Sequence, residues 1–177
     1  QGTSYHITYT SKDKSDLKPS IDSLLLKIDS SLSTYLPVSL ICRMNRDDTS
    51  VRADQFFTRV FNKAIEVSNA TDGLFDVTVS PLVNAWGFGT KAKINMDSAR
   101  IDSLKSLVGY RMLQLRDGKL VKQKEGIQLD FNALAQGYSV DVIAAMLAER
   151  GIRNYLVELG GELRAQGTKF GNSWKVG

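Results

Sequence analysis

LDFNALAQGYSVDVIAAMLAERGIRNYLVELGGELRAQ, residues 129–166, decides between the fold classes open to this chain. Val140, Ile143, Ala144 and Leu147 recur at helical spacing and Gly151 ends the run, so a helix is expected from near Ala133. Beyond it the period drops to two. Asn154–Leu159 and Glu162–Gln166 flank Gly160-Gly161 and read as a hairpin. Helices packed on a largely antiparallel sheet make the fold α+β. The front of the helix is richer in polar and small residues than a core helix requires, with Asp130, Asn132, Gln136 and Gly137 close together. A single capping residue would suffice, so the surplus marks this end as a candidate site.

Working upstream, Ile127–Asp130 reads as a strand feeding that helix, and Met112–Leu115 and Lys119–Lys122 form a hairpin around Asp117-Gly118. A short helix is expected over Asp97–Val108, with Ile101, Leu104 and Leu107 inward and Gly109 as its stop. A longer one opens at about Asp54, sets Phe57, Val60, Phe61, Ala64 and Val67 on one face, and ends before Thr71-Asp72-Gly73. Another runs from Pro19 through Ile21, Leu24, Leu25, Ile28 and Leu32. TSYHITYT, residues 3–10, alternates as a strand, and within it His6 has no sequence neighbour to orient or activate it as a base. Ser173–Gly177 looks like the start of a further strand, with a continuation expected beyond it.

Composition narrows the classes. With 177 residues, 42% hydrophobic and 24% charged, the chain suits one globular domain, or one domain and part of another. The net charge of +4 is dispersed. Lys12, Lys14 and Lys18 are interrupted by Asp13 and Asp16 and read as a solvated loop, so a nucleic-acid surface is not expected. The single cysteine, Cys42, excludes an intrachain disulfide and reads as a buried structural thiol. No apolar run is long enough to span a membrane.

Four stretches hold more polar, aromatic or glycine residues than folding needs: LSTYLPVSLICRMNR (32–46), DGLFDVTVSPLVNAWGFG (72–89), the helix front, and VELGGEL (157–163). Singly, each has a structural explanation. Tyr35 and Phe75 suit a core, Asp76 suits a buried carboxylate satisfied by amides, and Gly160-Gly161 suits a tight turn. The helix front also offers free amides and the positive end of a dipole, a place for phosphate, and small residues let a ligand approach closely.

Taken together, these stretches resemble the ApbE family of FAD:protein FMN transferases. GTSYHITY, LSTYLPVSLICRMNR, DGLFDVTVSPLVNAWGFG, LDFNALAQGYSVD and GIRNYLVELGGELRAQG occur in the family's order and cover essentially the whole chain. The resemblance implies binding of FAD and magnesium-dependent transfer of its FMN half to a threonine or serine hydroxyl of a target protein, with release of AMP. The implied target is an exported subunit of a respiratory redox complex. The implied location is the periplasmic side of a bacterial inner membrane, reached through a lipid anchor outside this chain. By position, the resemblance assigns Gln1, Tyr35, Leu74, Phe75, Asp76, Asn132 and Tyr138 to FAD, and the backbone carbonyl of Ala135 to Mg²⁺. Asp141 and Glu158 are weaker candidates; Asp141 also suits an exposed helix position, and Glu158 a sheet pair.

Two departures qualify the resemblance. Many members carry lysine where Gln136 stands, which removes a charge near the phosphates. The family is also longer. Its distal part holds a His-Ile-Ile-Asp-Pro-like motif and an aspartate and a threonine that complete the metal site, so residues 1–177 alone are expected to be inactive or nearly so. The alternatives are an FAD-binding carrier, an FAD pyrophosphatase that yields FMN and AMP, and a partner module that has lost its ligand.

Overall fold

In a computed structural model describing residues 2–11, 15–89 and 95–177, the elements run β1 (Tyr5–Tyr9), α1 (Lys18–Leu32), α2 (Leu40–Asn45), α3 (Gln55–Ala70), α4 (Ser80–Ala85) and α5 (Ser98–Lys105). A short 3₁₀ turn at Tyr110–Met112 follows, then β2 (Leu113–Arg116), β3 (Lys119–Lys122), α6 (Asn132–Glu149), β4 (Tyr155–Leu159) and β5 (Glu162–Gln166). Gln1 and the Lys12–Lys14 part of the charged loop lie outside the described residues. The chain divides into two compact units, one taking residues up to Ile28 and from Leu134 onward, the other Asp29–Ala133.

The first unit is an antiparallel sheet in the order β1-β4-β5 with α1 and the body of α6 as its helices. Alternation works as the sequence requires. Tyr155, Val157 and Leu159 of β4 are buried, and Tyr5, Ile7 and Tyr9 of β1 pack beside them. They meet Leu17, just ahead of α1, Ile21 and Leu25 from α1, and Val140, Ile143, Ala144 and Leu147 from α6. Each fully buried aliphatic side chain of that kind contributes about 1.5–3 kcal/mol. Gly160 and Gly161 both take positive φ, +58° and +97°, the backbone that a two-residue turn between right-twisted strands demands. β5 is exposed along its whole length.

The second unit is built around α3. Asp54 caps it by accepting the Phe57 amide at 2.8 Å, and Phe57, Val60, Phe61 and Ala64 form its buried stripe. Phe57 stacks on Phe61 and meets Phe131 edge-on, at centroid separations of 6.2 and 5.2 Å. β2 and β3 make a separate hairpin whose Asp117 and Gly118 have φ of +48° and +73°.

Several expectations need correction. Ile127–Asp130 is not a strand: its backbone is satisfied by an asparagine side chain and one loop carbonyl, described below. Ser173–Gly177 is irregular, although the Trp174 indole N–H reaches the Gln166 carbonyl at 3.0 Å. The helix expected over Asp97–Val108 spans Ser98–Lys105 with no fully buried residue; Ile101, Leu104 and Leu107 are only half-buried. Two short helices, α2 and α4, stand inside the stretches 32–46 and 72–89, for which no helix was expected. Cys42 is half-buried, its thiol near the Ser33 and Thr34 carbonyls.

Candidate functional site

The Leu74–Asp76 segment leaves the end of α3 in a tight reversal. The Val67, Ser68 and Asn69 carbonyls accept from Thr71, Gly73 and Asp72, and the Thr71 hydroxyl accepts the Phe75 amide at 3.2 Å. This turns Leu74 almost wholly outward, at 95% exposure, while Phe75 is half-buried. Asp76 is saturated from within. Its Oδ1 accepts from the Thr78 amide at 2.8 Å and the Thr78 hydroxyl at 2.6 Å, and its Oδ2 accepts the Tyr110 amide at 2.8 Å. The Thr78 oxygen in turn accepts the Gly109 amide at 2.7 Å. Asp76, half-buried rather than buried and held by a hydroxyl as well as two amides, therefore braces the segment against the 3₁₀ turn.

The same segment meets the helix front directly, because the Asp130 amide donates to the Val77 carbonyl at 2.8 Å. Asp130 Oδ1 accepts the Asn132 amide at 2.7 Å, and Oδ2 accepts the Asn132 side-chain amide at 3.2 Å, closing the first turn of α6. Burial pushes the Asp130 carboxyl above its ordinary range, opposed by the Asn132 amide. Leu129, fully buried, is gripped by Asn45: Nδ2 donates to its carbonyl at 2.9 Å, and Oδ1 accepts its amide at 2.8 Å. The side chain thus does what a neighbouring strand would do.

Tyr35, 67% exposed, lies in the loop that α2 carries at its other end. Ser39 caps α2 by accepting the Cys42 amide and donates its hydroxyl to the Ser33 carbonyl at 2.6 Å. Arg46 reaches back to the Pro37 carbonyl at 2.7 Å. Tyr35, Leu74, Phe75, Asp76 and Asn132 all belong to the second unit, with hydrogen bonds linking the segments that carry them.

Ala135 and Tyr138 belong to the first unit, half-buried on α6. The Ala135 carbonyl accepts the Ser139 hydroxyl at 2.7 Å. Beside them, Gln136 and Thr3 converge on the hairpin turn: a Cβ built on Gly160 would stand 2.8 Å from Gln136 Nε2 and 3.0 Å from Thr3 Cγ2. Glycine is favoured there chiefly by its φ of +58°, since the nearest atoms are ends of side chains that can shift. Glu158 accepts the Gly161 amide at 2.9 Å and pairs with His6 Nδ1 at 2.7 Å; the amide first, then the imidazole, hold its carboxyl below the usual range. His6 thus has an orienting partner that its sequence neighbours did not reveal. Asp141 makes an exposed ion pair with Arg164 at 2.6 Å, a contact of small energetic weight.

Among the described residues, no three His, Cys, Asp or Glu side chains gather where a metal ion would sit. One backbone carbonyl at Ala135 does not fit the octahedral oxygen shell of Mg²⁺. Asn45 and Thr78 escaped the sequence reading as site residues, whereas Asp130 was among the polar residues that marked the helix front. No helix among the described residues is long and apolar enough to cross a membrane.

Comparison with known proteins places this arrangement. Residues 1–177 match the profile described as ApbE family. An FAD:protein FMN transferase of Vibrio cholerae is 34% identical over 185 aligned residues, covering 99% of this chain and 55% of that protein. Its counterpart in Escherichia coli K12 is 31% identical, covering 93% of this chain and 50% of that protein. The solved flavin transferase ApbE from Vibrio cholerae superposes with a TM-score of 0.92 at 33% identity, over 99% of this chain and 60% of that one. The apo flavinyl transferase ApbE of Pseudomonas stutzeri gives 0.89 at 31% identity, over 99% and 61%. The chain thus spans between half and two-thirds of the length of these relatives, and its α+β architecture is theirs. This chain belongs to the ApbE family.

Proposed function

We propose that the protein carrying this chain is a magnesium-dependent FAD:protein FMN transferase. The observation that carries the reading is the family match along the whole chain, with superposition at a TM-score of 0.92. In the proposed reaction, an acceptor serine or threonine oxygen attacks the phosphorus on the FMN side of the diphosphate. The P–O bond to the AMP half breaks and AMP leaves with the bonding pair, while a base takes the hydroxyl proton. Tyr35, Leu74, Phe75, Asn132 and Tyr138 are proposed to contact FAD, with Asp76 keeping the Leu74–Phe75 turn in place through its three accepted hydrogen bonds. The diphosphate would lie at the amino end of the 18-residue helix α6, where the dipole favours anions although Asp130 already holds the Asn132 amide.

Magnesium belongs to this proposal through the family resemblance, and no step is assigned to it on these residues. The acceptor is proposed to be an exported redox subunit, and the enzyme to act on the periplasmic face of the inner membrane through a lipid anchor. The test is to incubate the full-length protein with FAD, magnesium and such a subunit, then measure AMP in solution and flavin mass on the subunit. Equal amounts of both are expected. FAD returned unchanged would overturn the reading, while free FMN and AMP without labelled protein would identify a hydrolase.

A further inference from the structure

We infer that Asn45 is a positioning residue for flavin binding, holding the Tyr35 loop and the Asp130–Asn132 helix front in register through the short helix α2. The inference rests on the proposed flavin site and extends it to a side chain that faces the protein. At one end of α2, Ser39 ties the loop that carries Tyr35, bonding the Ser33 carbonyl and capping the helix. At the other end Asn45 makes two hydrogen bonds with Leu129, donating from Nδ2 at 2.9 Å and accepting at Oδ1 at 2.8 Å. One residue further on, the Asp130 amide is fixed to Val77, beside the Leu74–Asp76 turn. Asn45 therefore joins three segments that were assigned to FAD independently of it.

The chemistry is particular to asparagine. Leu129 is fully buried, so its amide and carbonyl need partners, and no strand supplies them. A planar group offering one donor and one acceptor side by side copies a peptide edge. Aspartate has the same shape but turns the donor into an oxygen facing the Leu129 carbonyl. The end of α2 has a second tie with a different destination. Lys122 Nζ, on a side chain only 6% exposed, donates to the Met44 carbonyl at 2.8 Å and pairs with Asp47 at 2.7 Å. Lys122 also reaches the Asn45 carbonyl at 3.4 Å, so its ties hold the end of α2 through backbone carbonyls and Asp47 and leave the Asn45 side chain to Leu129.

This contrast supplies the test, an FAD titration of the full-length protein by flavin fluorescence, reading affinity and stoichiometry separately. Asn45→Asp should keep one site per chain and weaken the dissociation constant by about tenfold or more, the scale of a buried group left unsatisfied. Asn45→Ser, which introduces no charge beside Leu129, should weaken it in the same direction. Lys122→Met should lower Tm and leave the dissociation constant unchanged. A purely structural Asn45 would instead reduce the number of sites at unchanged affinity, and that result overturns the inference. Equal weakening by Lys122→Met overturns it too. If the wild type binds no FAD, the flavin reading falls and this inference with it. Tight wild-type binding that survives both Asn45 variants removes Asn45 alone.

Discussion

Two aspartates of the second unit respond to pH in opposite senses. Asp48 accepts from the Ser50 hydroxyl and amide and pairs with Arg43, and these partners, the serine foremost, bring its pKa down to about 2. A depressed carboxylate contributes stability above its unfolded value of 3.8, and loses it as pH falls toward 2. Asp48→Asn should therefore lower Tm at about pH 6 and close the gap with the wild type by about pH 2 in thermal melts. Asp130 is raised by burial, so its effect runs the other way: its full contribution is present below the unfolded value of 3.8 and declines as pH rises. Asp130→Asn should gain Tm relative to wild type on going from about pH 3 to about pH 7. A difference that stays constant across that range would contradict the burial of the carboxylate.

Among the elements, α3 shows how much the sequence disclosed. Its start near Asp54, its apolar stripe up to Ala64 and its end at Thr71-Asp72-Gly73 were legible, because each depends on near neighbours in the chain, although Ser68 rather than Val67 is buried in the last turn. Asp54→Ala should cost about 1 kcal/mol in denaturant unfolding as the cap is lost, and the Ser31 hydroxyl would lose its acceptor as well. Phe57→Ala, between Phe61 and Phe131, should cost about 3–5 kcal/mol by the same measurement. The strand expected at Ile127–Asp130 shows what was not legible. Its composition suits a strand, but its partner is the side chain of Asn45, more than eighty positions away in the chain, and no periodicity reports such a pairing. α2 and α4 escaped notice for another reason. Six residues give fewer than two helical turns, too few for a stripe to repeat. Ser173–Gly177 failed differently again: a tryptophan and a valine raise strand propensity, and no described strand pairs with them.

For the whole molecule, the resemblance read from five stretches and the superposition on solved flavin transferases agree on family and fold. Of the residues that the resemblance assigns to ligand, Tyr35, Leu74, Phe75, Asp76 and Asn132 belong to the second unit, and Ala135 and Tyr138 to the first. Hydrophobic periodicity located the cores of both units, but the polar ties that join the first group belong to single side chains and left little trace in the pattern. The flavin contacts proposed for this chain, with no carboxylate cluster for a cation among its described residues, carry a direct consequence. The decisive measurement is a fluorescence titration of FAD with residues 1–177, repeated with magnesium and with chelator. Saturable binding with the same dissociation constant in both conditions is the predicted result. Absence of binding, or binding that disappears with the chelator, would contradict the assignment of the flavin contacts to these residues.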